Sequence, residues 1–179
     1  MKKPFLEGAT INLRPLSLDD AKGDYVNWFN DAEVCQHNAH HTYPYNRKLA
    51  EQYIKDANRQ KHTMVLAITN KKGTHIGNVS LQSINYISRS AEFAIIIGNK
   101  RYWGKGVAKE AGRLLLKHGF GALNLHRIYC GTSANNIAMQ KVALALGMRK
   151  EGRRRDAIYK NGMYADIIEY GILKKDFKS

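Results

Sequence analysis

The residues best equipped for chemistry in this chain are Arg101-Tyr102-Trp103-Gly104-Lys105-Gly106, a basic, glycine-rich segment between an apolar run and an amphipathic one. That setting suits an anion. A helix start leaves unpaired N–H groups pointing outward, and the aligned peptide dipoles favour negative charge there. Glycine has no Cβ, so the backbone can come close to a ligand. Arg101 and Lys105 add positive charge. Two familiar phosphate loops do not fit. The dinucleotide fingerprint needs a third glycine where this chain has Lys109. The nucleoside-triphosphate loop needs four residues between its glycines, then Lys-Ser or Lys-Thr. What remains is Arg-x-x-Gly-x-Gly running through Val107 and Ala108 into a helix.

The formal charge is +14. It fits nucleic acid, an anionic surface or a polyanionic small molecule, and does not choose among them. Lys150, Arg153, Arg154 and Arg155 form the densest basic cluster, suited to phosphate, to RNA or to plain solvation of a hairpin. Cys35 and Cys130 set no metal-ligand spacing. His37, His40 and His41 are crowded together but lack a cysteine or carboxylate at ligand spacing, so no metal is expected. No apolar run reaches the roughly 18 to 20 residues that span a membrane. The opening residues, from Met1 to Glu7, carry no apolar signal core. The expectation is a reduced, cytoplasmic protein without membrane contact, as monomer or homodimer.

Several elements must position the loop. Residues 9–14 alternate as a strand that Pro15 ends, and Ser17 to Asp20 offers a cap for a helix running towards Trp28. A polar stretch over 30–46 precedes a helix at 47–61 with Leu49, Tyr53, Ile54 and Ala57 at helical spacing. Strands at 63–69 and 74–85 flank the turn signal Asn70-Lys71-Lys72-Gly73. Residues 90–98 are apolar enough for a central strand. A helix from 107 ends near Gly119 or Gly121, and a strand follows at 125–132. A helix at 133–146 stops at Gly147. A hairpin, 149–160 and 163–173, turns at Lys160-Asn161-Gly162. With no repeat or linker, residues 1–179 read as a single α+β domain, a mixed and mostly antiparallel twisted sheet of about seven strands with helices on both faces.

The run Glu92 to Gly98, followed by Arg101-x-x-Gly104-x-Gly106-Val107-Ala108-x-Glu110-Ala111, resembles the GNAT acetyltransferase superfamily. More narrowly it is similar to the branch that includes ribosomal-protein N-terminal acetyltransferases. Leu125 to Ile128, Asn136, Leu146-Gly147-Met148, Glu151 to Arg154, Tyr164 and Asp166 extend the likeness over essentially the whole chain. The resemblance implies a sheet splayed between its fourth and fifth strands to take acetyl-CoA. The cofactor arm would pair with backbone near Ile95, Ile96 and Ile97. The diphosphate would lie on the loop from Arg101 and Trp103 through Gly104, Lys105 and Gly106 to Val107 and Ala108. Asn136 matches the position that bonds the arm, and it also suits a helix N-cap.

The implied reaction is direct attack of a primary amine on the thioester. An alkyl ammonium has a pKa of roughly 10, so a base is needed. Glu92 is the candidate, with an N–H of Ile96 or Ile97 for the oxyanion. The tyrosine that many relatives use as general acid is replaced by Ala143, and the serine of the branch by Met139. Tyr159, Tyr164 or water remain. On the acceptor side, Trp28 to Val34 resembles an element of relatives that acetylate amino-sugar nucleotides or protein N-termini. There Asp31 and Glu33 suit an ammonium, and His37, His40, His41 and Tyr164 suit a polar acceptor. The rival reading is a catalytically weak acetyltransferase fold serving as an RNA- or ribosome-binding module through its basic surface.

Overall fold

The computed structural model describes residues 4–178, so the basic start at Met1 to Lys3 lies outside the described residues. The chain runs through strands β1 (Leu6–Glu7) and β2 (Ile11–Pro15), then helices α1 (Tyr25–Phe29) and α2 (Arg47–Arg59). Three strands follow: β3 (Met64–Asn70), β4 (His75–Asn85) and β5 (Ser90–Ile97). After them come α3 (Val107–Gly121), β6 (Arg127–Ser133), α4 (Ile137–Ala145), β7 (Arg149–Lys160) and β8 (Met163–Leu173). All strands join one sheet in the order β1-β2-β3-β4-β5-β6-β8-β7. Among the described residues only β5 and β6 pair parallel. The expected seven strands are all present. The eighth, β1, is two residues long and pairs back on β2, too short for periodicity to reveal.

Strand alternation sorts side chains between two apolar layers. Leu66, Ile68, Phe93, Ile128 and Ile172 face α3 and α4, with Leu115, Leu116 and Ala143 packed on them. Val65 and Ala67 face the other way, under Tyr25, Trp28 and Phe29 of α1 and Ala50 and Ile54 of α2. The helices therefore lie on both faces, as expected.

The first predicted helix is broken. A 3₁₀ turn at Asp20–Lys22 is separated from α1 by Gly23 in an extended conformation. The Asp20 carboxylate takes a bidentate hydrogen bond from Arg14 (2.6 and 2.8 Å) and another from the Ser17 N–H. This fixes the turn towards the sheet. In α2 the Asn46 side chain caps the helix by accepting from the Leu49 N–H. Ile54 and Ala57 of the expected face pack on the core together with Ala50, while Leu49 and Tyr53 stay exposed.

Candidate active site

Parallel pairing between β5 and β6 runs Ser90 with Arg127, Ala91 with Ile128 and Glu92 with Tyr129, and then stops. β5 continues to Ile97 with β4 still paired on its other side. β6 continues to Ser133, paired with β8. The two strands thus part beyond Glu92. The backbone groups of Phe93 to Ile97 that point across the gap have no strand partner there, and an edge in that state can pair with an extended ligand. Ala91 and Phe93 are buried, but Ala94, Ile95, Ile96 and Ile97 are only partly covered. The stretch expected to hold a cofactor arm is therefore reachable.

Beyond Ile97 the chain makes a 3₁₀ turn at Lys100–Tyr102 and enters α3. Gly104 and Gly106 have φ of +71° and +77°, and Gly106 is the N-cap of α3. A Cβ at either position would meet nothing within 4 Å. The left-handed backbone favours glycine at both positions, and the space around them is open to a ligand. The first N–H bonded back into the helix is that of Glu110, to the Gly106 carbonyl, so the N–H groups of Val107 and Ala108 are available to an anion. The loop is held in shape from several sides. Asn99 accepts from the Arg101 N–H, Asn70 donates to the Tyr102 hydroxyl (2.8 Å), and the Trp103 indole N–H donates to the Ile97 carbonyl (2.7 Å). The Lys105 ammonium lies 5.9 Å from the Tyr102 ring centre. Asn136 caps α4, its side-chain oxygen accepting from the Met139 N–H at 3.0 Å. Its amide nitrogen is the part left for a ligand.

The closed end of the gap carries the carboxylate. Glu92 sits between Gln82 on β4 and Tyr129 on β6. It shares the α1–α2 face with Ile96, and cross-strand register places Asn78, Ser80 and Gln82 on that face too. Among the described residues no lysine, arginine or histidine forms an ion pair with Glu92. Neighbouring acids differ. Asp31 and Glu33, expected to draw an ammonium, instead share the chain's own Lys100 at 2.8 and 2.5 Å. The Lys100 hydrogen bond holds the Asp31 carboxyl below its ordinary value. Asp166 pairs with Arg153, Glu169 with Arg154 and Glu151 with Arg127. Two of the four cluster cations, Arg153 and Arg154, are thereby neutralised.

A cavity of about 190 Å³ lies between the loop after α1 and the tip of the β7–β8 hairpin, with His37, Ser133, Asn135, Lys160 and Tyr164 in its wall. Tyr164 is where an acceptor residue was expected. Trp28, His40 and His41 are not in that wall. Trp28 is buried, and a Cβ on Gly98 would meet its ring at 1.9 Å. Its task is to seat the end of β5. His40 packs edge-on against Phe29 at 4.6 Å, and its carbonyl accepts from Lys160. His41 is exposed, with φ of +62°. Burial lowers the affinity of His37 and His40 for a proton. No group of three histidine, cysteine or acidic side chains among the described residues could hold a metal ion.

Two features escaped the sequence. One is the buried set under α1. His75 Nδ1 lies 3.2 Å from Asp20, its Nε2 lies 2.8 Å from the Asn78 side-chain oxygen, and its ring stacks on Tyr25. The other is Tyr170. It is buried on the α4 face and donates to Gln140 at 3.1 Å, within one turn of Ala143. Most of these contacts join residues tens of positions apart, and no local pattern marks them.

A family model for the acetyltransferase (GNAT) domain matches residues 10–149. Spermidine N(1)-acetyltransferase of Escherichia coli (strain K12) is 30% identical over 169 residues, covering 94% of this chain and 88% of that one. YdaF of Bacillus subtilis (strain 168), named as a candidate ribosomal N-acetyltransferase, is 32% identical over 59% of this chain and 57% of its own. The crystal structure of spermidine N-acetyltransferase from Vibrio cholerae in complex with CoA and spermine aligns with a TM-score of 0.84 at 28% identity, covering 93% of this chain and 97% of that one.

Proposed function

Since the chain belongs to the acetyltransferase (GNAT) family and is by that membership an acetyl-CoA-dependent N-acetyltransferase, we propose that residues 1–179 form one catalytic domain in which Glu92 is the base and a primary amine enters from the α1–α2 face. The observation that carries this reading is the end of β5–β6 pairing at Glu92 and Tyr129. A single break in the ladder frees backbone for the cofactor arm and sets an unpaired carboxylate at its inner end.

Acetyl-CoA, when bound, supplies the activated acetyl group. The protein's residues do the rest. Val107 and Ala108 N–H groups hold the diphosphate, with Arg101 and Lys105 adding charge. Glu92 takes a proton from the acceptor ammonium, directly or through water, so that the nitrogen lone pair can attack. An N–H at Ile96 or Ile97 bonds the oxygen that gains negative charge. The C–S bond then breaks, and the thiolate acquires a proton on the α4 face. Tyr170, held by Gln140 within one turn of the Ala143 position, joins Tyr159, Tyr164 and water as a candidate for the missing acid. With Tyr170 in that role, base and proton donor lie on opposite faces of the sheet.

Acceptor candidates are a protein N-terminus, an amino-sugar nucleotide, or another small amine such as the polyamine named for two relatives. Contact with RNA or the ribosome is a second reading. It rests on the exposed pair Tyr159 and Tyr164, with ring centres 5.0 Å apart at the tip of a basic hairpin, an arrangement on which bases can stack. Titration of CoA and of RNA, with an acetylation screen of these amines, tests both. Strong RNA binding without CoA binding would remove the enzyme reading.

A further inference from the structure

We infer that the acceptor is an amine bearing a negative charge of its own, recognised by Lys160 in the cavity beneath the hairpin tip; this rests on the acetyltransferase reading above. The first ground is the wall of that cavity. His37, Ser133, Asn135, Asn161 and Tyr164 supply neutral polar groups, Lys160 supplies a cation, and no carboxylate lines it. Lys160 is half-buried and its ammonium is anchored on the His40 carbonyl at 2.5 Å. Only one of its three N–H donors is needed for that bond.

The second ground is the state of the surrounding acids. A polyamine carries several ammonium groups, and each needs its own carboxylate or comparable acceptor when it leaves water. Asp31 and Glu33 already face Lys100, Asp166 faces Arg153, Glu169 faces Arg154 and Glu151 faces Arg127, so a second ammonium has to displace a resident cation there. Glu92 serves the reacting nitrogen. A second ammonium would find Lys160 instead, a like charge that costs affinity. The third ground is the +14 charge of the whole chain, which repels polycations and draws anions from solution.

The shared chemistry is therefore an ammonium at Glu92 with a phosphate or carboxylate near Lys160. It can come from an amino-sugar phosphate or from the N-terminus of an acidic peptide. The test compares spermidine, glucosamine 6-phosphate, and peptides with free N-termini followed by acidic or by uncharged residues. Turnover is measured for each, and its binding to the CoA-loaded protein is measured separately by calorimetry. For the unaltered protein, kcat/KM for at least one anionic amine is expected to exceed that for spermidine by about tenfold or more. The sugar phosphate and the acidic peptide tell the two sources apart. Lys160→Glu should reverse the order while leaving CoA affinity unchanged, and Lys160→Met should abolish the preference. Spermidine turned over as well as the anionic amines, or a preference unmoved in Lys160→Met, overturns the inference and leaves the acetyltransferase reading standing. Anionic amines that bind selectively yet are never acetylated uphold the selectivity and remove Glu92 from its role. Failure of every amine to bind overturns the inference.

Discussion

The regions proposed for the acetyl donor and for the acceptor are built from different materials. The proposed donor end is made of backbone: free edge groups on β5, two left-handed glycines, and N–H groups at the start of α3, all within residues 93–108. The proposed acceptor end is made of side chains from three distant segments, the loop near His37, the end of β6 and the hairpin tip at Lys160 and Tyr164. Backbone recognition tolerates many sequences, because any residue supplies an N–H. Side-chain recognition changes with each substitution. The difference explains how one fold can keep its acetyl donor while its acceptor varies.

Substitutions can break this contrast or sharpen it. Glu92→Gln should have the largest effect, since it removes the proposed base. A fall in kcat of about 10²-fold or more is expected, with a flattened pH–rate profile and unchanged CoA binding. Stopped-flow or steady-state assays across pH check it. Next comes Gly104→Val. A β-branched residue strains the left-handed backbone and fills the open approach. CoA affinity should fall about 100-fold, or roughly 2.7 kcal/mol, with acceptor binding retained, as calorimetry with each ligand would show. If acceptor binding falls equally, the two ends are not separate.

Asp20→Asn tests the support beneath the acceptor face. Burial alone raises the Asp20 carboxyl, but hydrogen bonds from Arg14 and His75 outweigh it and hold the group well below the carboxylate range. A depressed folded pKa adds stability that is fully present above the unfolded value of about 3.9. That stability is lost as pH falls below it towards the folded value. The variant should be less stable at neutral pH by about 2–4 kcal/mol, because a buried pair loses one partner. Its melting temperature should also depend less on pH in the acid range, as calorimetric scans would reveal. The smallest effect belongs to Lys100→Met, which cuts the tie from Asp31 and Glu33 to the turn before the cofactor loop. The pair is exposed and so energetically weak. An acceptor KM change of about threefold is expected with CoA affinity kept, and a larger drop in CoA affinity would show that the loop depends on this tie.

The same contrast decides what could be read before the structure. Arg101 to Ala108 was legible because its glycines, its charges and the helix that follows are contiguous. The strands of the central sheet were legible because apolar runs and turn residues alternate clearly along 63–106. The break at Gly23 was not, because it depends on Asp20 turning to Arg14 and His75, the latter 55 positions away. The packing of Trp28 was hidden for a similar reason. Its neighbours in sequence suggest a substrate element, whereas its neighbours in space are Gly98 and His75. Asp31 and Glu33 looked free until Lys100 was found between them.

The placement of the two tryptophans has a practical outcome. Trp28 is sealed in the core beside His75, while Trp103 is exposed and its indole N–H is fixed on the Ile97 carbonyl at the mouth of the gap. The chain holds no other tryptophan. Its intrinsic fluorescence therefore has one emitter fixed in the core and one whose surroundings should change when the diphosphate loop is filled. Trp28→Phe would leave a single native optical reporter, sensitive to the acetyl donor and blind to the amine.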